Sequence, residues 1–165
     1  MAHQFTVSVA IQGVSLEDFK RLAADTALHE AVCRRIPGEN LEILESRKTG
    51  DMYTLKRAYN LDVNIPDIAK KLLKDAFRLH RTDVSDLAKM TSEVILDPNL
   101  PLEARCQRQV TGDASQIQFQ LEWTVKVKVP LIGGLLEKHA EVEIRRFSQL
   151  ELEIVEDELR KNLKA

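Results

Sequence analysis

At 165 residues the chain has the length of one domain, expected to span 1–165, and about 70% of its unfolded surface can be buried without disulfide or metal staples. With 44% hydrophobic and 30% charged residues it is not a disordered chain, and a formal net charge of -2 with no basic run excludes long-range attraction to nucleic acid or an anionic membrane. No stretch nears the roughly 20 apolar residues of a membrane span, and Met1-Ala2-His3-Gln4 lacks the charged start of a secretory signal. A soluble, cytoplasmic protein is expected. The two cysteines, Cys33 and Cys106, are too few for a secreted disulfide scaffold, and with His3, His29, His80 and His139 they show no zinc-ligand spacing.

In chain order, Phe5, Val7, Val9 and Ile11 alternate with polar residues, the period of a strand with one wet face, and Gly13 stops it. Ser15 then stands as a helix N-cap, with Glu17 and Asp18 favouring the positive helix end and Leu16, Phe19, Leu22 and Ala23 as the apolar stripe. Asp25 opens a second short helix that buries Leu28, Val32 and Ile36 and closes at Pro37-Gly38. Two strands follow, one beginning at Leu41 and Ile43, the other carrying Tyr53, Leu55, Arg57, Tyr59 and Leu61 on one face. Thr49-Gly50-Asp51 makes the turn between them.

After Pro66-Asp67 the spacing of Ile68, Leu72, Leu73 and Ala76 predicts a helix, whereas residues 77–88 have a mixed pattern that assigns no element. Met90–Leu96 reads as a strand. Leu102, Ala104, Cys106 and Val110 predict another, turning at Thr111-Gly112-Asp113. Ile117, Phe119, Leu121, Trp123, Val125, Val127 and Val129 then alternate without an error, which predicts a long central or barrel-like strand ended by Pro130. Gly133-Gly134 leads into a helix reaching nearly to Ala165, with Leu136, Ala140, Ile144, Phe147, Leu150 and Ile154 at helical spacing, flanked by Leu135, Val155 and Leu159.

Short connections between alternating strands make the sheet antiparallel. The fold class is therefore α+β, a helix grip: a curved antiparallel sheet wrapped around a long C-terminal helix, with two short helices after the first strand. This order resembles the START-like (SRPBCC) superfamily, which includes plant pollen-allergen-like proteins and aromatic polyketide cyclases. The junction Trp123-Thr124-Val125-Lys126-Val127-Lys128-Val129-Pro130-Leu131-Ile132-Gly133-Gly134-Leu135-Leu136-Glu137-Lys138 resembles a bacterial branch of that superfamily with no assigned function. The resemblance implies the fold over the full chain and leaves activity open, because the superfamily hosts transporters, sensors, cyclases and hydrolases.

Where sheet and helix separate, an apolar cavity can form. Candidate lining residues are Tyr53, Tyr59, Phe119, Leu121 and Trp123 from strands and Leu136, Ala140, Ile144 and Phe147 from the helix, although each equally suits plain core packing. Arg57 and Arg108 are polar residues in apolar register. Either binds an anionic ligand group, or a β-bulge turns it outward, or it pairs with a residue such as Glu45 or Glu122. His80 and His139 are the only acid–base candidates near neutral pH, and nothing beside His139 supplies a partner. No nucleophile elbow, phosphate loop or dinucleotide-binding glycine pattern occurs, so no cofactor is indicated.

Three functions remain. The first is non-catalytic binding or carriage of a hydrophobic small molecule or lipid, with or without an anionic group. The second is a polyketide cyclase or aromatase-like enzyme, which needs Arg57, Arg108, Tyr59 or His139 to converge on one point. The third is an interaction protein with a filled core and an exposed apolar patch at Leu152 or Leu163 on the outer side of the last helix.

Overall fold

A computed structural model describes residues 2–164; Met1 and Ala165, named at the two ends of the sequence, lie outside the described residues. In chain order the elements are β1 (His3–Gln12), α1 (Leu16–Ala23), α2 (Thr26–Arg35), β2 (Gly38–Thr49), β3 (Met52–Leu61), α3 (Asp67–Lys70), β4 (Leu79–Asp86), β5 (Thr91–Pro98), β6 (Leu102–Gly112), β7 (Gln116–Val127) and α4 (Gly133–Lys164). The strands form one seven-stranded sheet in the order β1-β7-β6-β5-β4-β3-β2, antiparallel throughout. All neighbours but β1 and β7 are successive in sequence. The sheet edges, β1 and β2, are bridged by α1 and α2, which is why two short helices must sit between the first two strands.

Local chemistry sets those helices. The Ser15 hydroxyl accepts the Asp18 N–H at 3.0 Å, and the Asp25 carboxylate accepts the Ala27 N–H at 3.0 Å. Each cap satisfies a backbone donor that the first helical turn leaves without a partner. The turn between β2 and β3 places Gly50 at a φ of 61°, where a Cβ would be strained.

β7 is an interior strand, and its Ile117, Phe119, Leu121, Trp123 and Val125 are all buried while the alternate residues face outward. The strand stops at Val127, short of the predicted Val129, because the Glu137 carboxylate of α4 accepts the Val127 N–H at 2.9 Å and Lys128 N–H turns to Pro101 O. The hairpin into β7 is tight. A Cβ on Gly112 would fall on the Gln116 carbonyl oxygen and 3.0 Å from Ile117 Cα. Gly112→Ala is therefore expected to cost about 1–3 kcal/mol in urea unfolding; an unchanged midpoint would mean that the turn yields without strain.

With 32 residues, α4 runs about 48 Å and lies along the sheet's interior face. Leu136, Leu152, Ile154 and Leu159 are buried, and Ala140, Ile144, Phe147, Leu150 and Val155 are half-buried against the core. Polar ties fix its position along its length. Glu141 pairs with His3 of β1, Glu143 accepts the Asn64 N–H at 2.6 Å, Arg160 donates to Gln12 O, and Arg35 of α2 bridges Asp157 and Glu158.

Three expectations are corrected. Leu152 is 2% exposed and belongs to the core, so it offers no outer patch, while Leu163 is half-buried against the same core. Leu135, expected to flank the buried stripe, is exposed at the helix start. The helix predicted from Ile68 to Ala76 shortens to one turn, α3, with Ile68, Leu72 and Ala76 exposed. Only Ala69 of that turn is buried, and a helix with so little to bury cannot offset the cost of nucleation.

Candidate functional site

The unassigned stretch 77–88 supplies the centre of the site. Its strand, β4, turns Leu79, Arg81, Asp83 and Ser85 toward α4, and Asp83 and Ser85 are buried. Arg57 on the neighbouring β3 is 3% exposed. Its Nη1 lies 3.0 Å from Asp83 Oδ1 and its Nη2 lies 3.9 Å from Glu151 Oε1 of α4. Arg81 makes a fork to Asp83, Nε to Oδ1 at 2.9 Å and Nη2 to Oδ2 at 3.1 Å, and its Nη1 reaches Glu151 Oε1 at 3.0 Å. Two guanidiniums and two carboxylates thus balance inside the grip. Arg57 takes neither of the expected partners: Glu45 lies beside Arg47 and Lys56, and Glu122 is exposed on the outer side of β7.

Burial alone would favour the neutral form of Asp83. The positive charges of Arg57, Arg81 and Arg108 outweigh it and hold the carboxyl well below the usual carboxylate range. Burial likewise opposes the charge on Arg81, but Asp83 and Glu151 raise its pKa well above the ordinary arginine value. Asp83 and Arg81 are therefore both charged at neutral pH. Burial pushes the Cys106 thiol up to about 12 and raises that of Cys33. Both are free, buried thiols without nucleophilic character.

Two cavities flank the network, and Glu151 lines both. The larger, about 160 Å³, is walled mainly by apolar side chains from β3, β4, β5, β7 and α4 and by the connection from Leu61 to Phe77. Tyr59, Trp123, Leu136, Ala140, Ile144 and Phe147 line it, as do Arg81, Glu143 and His139. Trp123 is buried, and its indole N–H has no acceptor among the described residues. His139 Nε2 is 2.7 Å from Asn64 O, which ties the helix start to the connection over the cavity.

The smaller cavity, about 70 Å³, is lined by Arg57, Arg108 and Phe119, together with His29, Cys33, Asp83, Ser85 and Ser92. Tyr53 and Leu121 line neither. Tyr53 bonds through its hydroxyl to Ser46 at 2.8 Å and packs against the His29 ring, and Leu121 is a core residue. The eleven candidates are thus divided between two spaces and the core. Sequence reasoning missed Arg81, Asp83, Ser85, Ser92, His29 and Glu151. The period-two run Leu79, Arg81, Asp83, Ser85 was the available signal, but it presents polar groups to the interior and so inverts the usual pattern.

A family model described as "Protein of unknown function (DUF2505)" matches residues 6–159. The chain belongs to the DUF2505 family. No curated protein matches it by sequence. Solved structures place this DUF2505 protein in the START-like, helix-grip fold. The Zhui aromatase/cyclase of Streptomyces sp. R1128 is 15% identical, with a TM-score of 0.65 over 99% of this chain and 98% of its own. A protein of Thermus thermophilus, TTHA0849, is 15% identical, with a TM-score of 0.66 over 97% and 99%. A START superfamily protein from Mycobacterium smegmatis is 12% identical, with a TM-score of 0.58 over 96% and 98%. At these identities the likeness is one of fold, and the chemistry must be argued from the residues of the DUF2505 protein itself. Among its described residues, no helix is long and apolar enough to cross a membrane.

Proposed function

We propose that the chain, acting as a single START-like domain in a reducing cytoplasm, binds and carries a hydrophobic small molecule in the larger cavity without transforming it. The observation that carries this is the cavity wall. Aromatic and aliphatic side chains from strands and helix face an unfilled space at the place where α4 should pack on the sheet. Packed interiors rarely leave such voids, because each forfeits contacts along its lining. The unpaired indole N–H of Trp123 supports a ligand bearing one acceptor, such as a carbonyl or hydroxyl, on an otherwise apolar body.

A cyclase or aromatase-like reaction is the alternative suggested by the fold of the Streptomyces aromatase/cyclase. The polar groups that it needs are separated: Tyr59 and His139 line the larger cavity, Arg57 and Arg108 the smaller. That separation favours carriage.

Native mass spectrometry of the purified protein, before and after incubation with a total lipid and metabolite extract, tests the proposal. An added mass of a few hundred daltons, released unchanged on denaturation, is the expected result. A bare chain mass together with no binding of a neutral apolar dye would overturn it.

A further inference from the structure

The smaller cavity contains a cation without a counter-ion among the described residues. Arg108 on β6 points inward, half-buried, between Cys106 and Val110. Its Nη2 donates to Ser92 Oγ at 3.0 Å, and Ser92 in turn bonds to Ser85 Oγ at 2.7 Å. Among the described residues no carboxylate stands within salt-bridge distance of Arg108. The acids nearby are engaged elsewhere. Asp83 and Glu151 are held by Arg57 and Arg81, and Asp86 accepts the N–H groups of Ala88 and Lys89 at 3.0 Å each. His29 adds no charge at neutral pH, since burial lowers its pKa and outweighs the opposing effect of the Ala23 carbonyl oxygen, 2.7 Å from its Nε2.

We infer that Arg108 is the anchor of a second binding site, which takes one carboxylate group carried on a short apolar tail. A guanidinium drawn partly out of water gains most from a partner that accepts two parallel N–H bonds, and a carboxylate has that geometry. The buried hydroxyls of Ser85 and Ser92 extend the polar end of the site. Its charge suits a monoanion, because Arg57 and Arg81 already match Asp83 and Glu151, which leaves the single charge of Arg108 to be met, and Asp86 lines the same cavity. Phe19, Leu28, Val110 and Phe119 are among the apolar residues of the remaining wall, which suits a short hydrocarbon. Arg57 is excluded as the anchor because its charge is already matched.

The carboxylate can belong to a free short-chain acid or form the head of a longer acid whose tail passes Glu151 into the larger cavity. Titration calorimetry of the full chain with sodium butyrate tests the site itself. Butyrate is expected to bind one per chain, butyramide is not, and Arg108→Gln should weaken butyrate by about tenfold or more while the melting temperature holds. Arg108→Lys should retain part of the affinity. Arg105→Gln, which removes an exposed arginine from the outer face of the same strand, should retain all of it.

Equal binding to wild type and Arg108→Gln, equal binding of butyramide, or no binding of butyrate would overturn the inference. Dodecanoate then separates the sources. If it displaces both butyrate and a neutral dye, phenylnaphthylamine, the anion is the head of a long-chain acid; if it displaces neither while butyrate binds, the site serves a free short acid. Because butyrate is read without the dye, a failure of dye binding would count against the proposed carrier function and leave this site standing.

Discussion

Asp83→Ala is expected to destabilise the protein by about 3–5 kcal/mol in urea unfolding at neutral pH. Asp83 is the shared counter-ion of Arg57 and Arg81, at 3.0 and 2.9 Å, in a place where Arg57 is buried and Arg81 keeps only a small part of its side chain exposed. Removing it leaves the buried Arg57 and the largely buried Arg81 facing Glu151 alone, and the desolvation already incurred by the arginines goes uncompensated. Arg57→Leu should also destabilise, but less, since Arg81 still neutralises Asp83. Had Arg57 served a ligand instead of Asp83, its replacement would have left stability unchanged or raised it. The double variant Arg57→Met with Asp83→Leu removes one charge of each sign and keeps the Arg81–Glu151 pair, so it should recover most of the loss.

The acid limb provides a second readout. Asp83 has its folded pKa depressed below the unfolded value of about 3.9. It therefore adds stability that is fully present above that value and is lost as pH falls through the folded pKa. Wild type should lose this contribution as pH falls below about 4, and Asp83→Ala should show a shallower limb. A variant within about 1 kcal/mol of wild type, with an unchanged acid limb, would show that the network is solvated and contributes little.

Legibility of the sequence divided along the same lines. Wherever the interior is apolar, period alone located the element: the alternation from Ile117 to Val125, the caps at Ser15 and Asp25, and the stripe from Leu136 to Ile154 all have the roles expected of them. β4 was unreadable because its inward face carries Arg81, Asp83 and Ser85 while Val84 faces the other side. A hydrophobic-in rule fails on a strand that buries ion pairs, and such strands cluster at sites. The arginines in apolar register at 57 and 108 were visible, but the partner of Arg57 was not, since pairing across strands depends on register that spacing within one strand does not contain. The fold shared with solved structures confirms the architecture and leaves the two cavities to be distinguished by their own residues.

Ala140→Phe should abolish binding of a neutral apolar probe, weakening it by about 100-fold, and leave the melting temperature unchanged or higher. Ala140 is the smallest side chain that α4 contributes to the wall of the larger cavity, one helical turn from both Leu136 and Ile144. A phenyl ring at that position enters space that is already open, so it displaces ligand volume without forcing neighbours off their rotamers. Filling a void in this way also restores the dispersion contacts that its lining lacks. The paired outcome is what discriminates. If the probe still binds with full affinity, it sits outside the larger cavity, and the carrier proposal loses its site. If instead the variant unfolds, as overpacking would cause, the space beside Ala140 is closed in solution and the interior is a filled core. Retained folding with lost binding is the combination that only an open, ligand-accepting cavity produces.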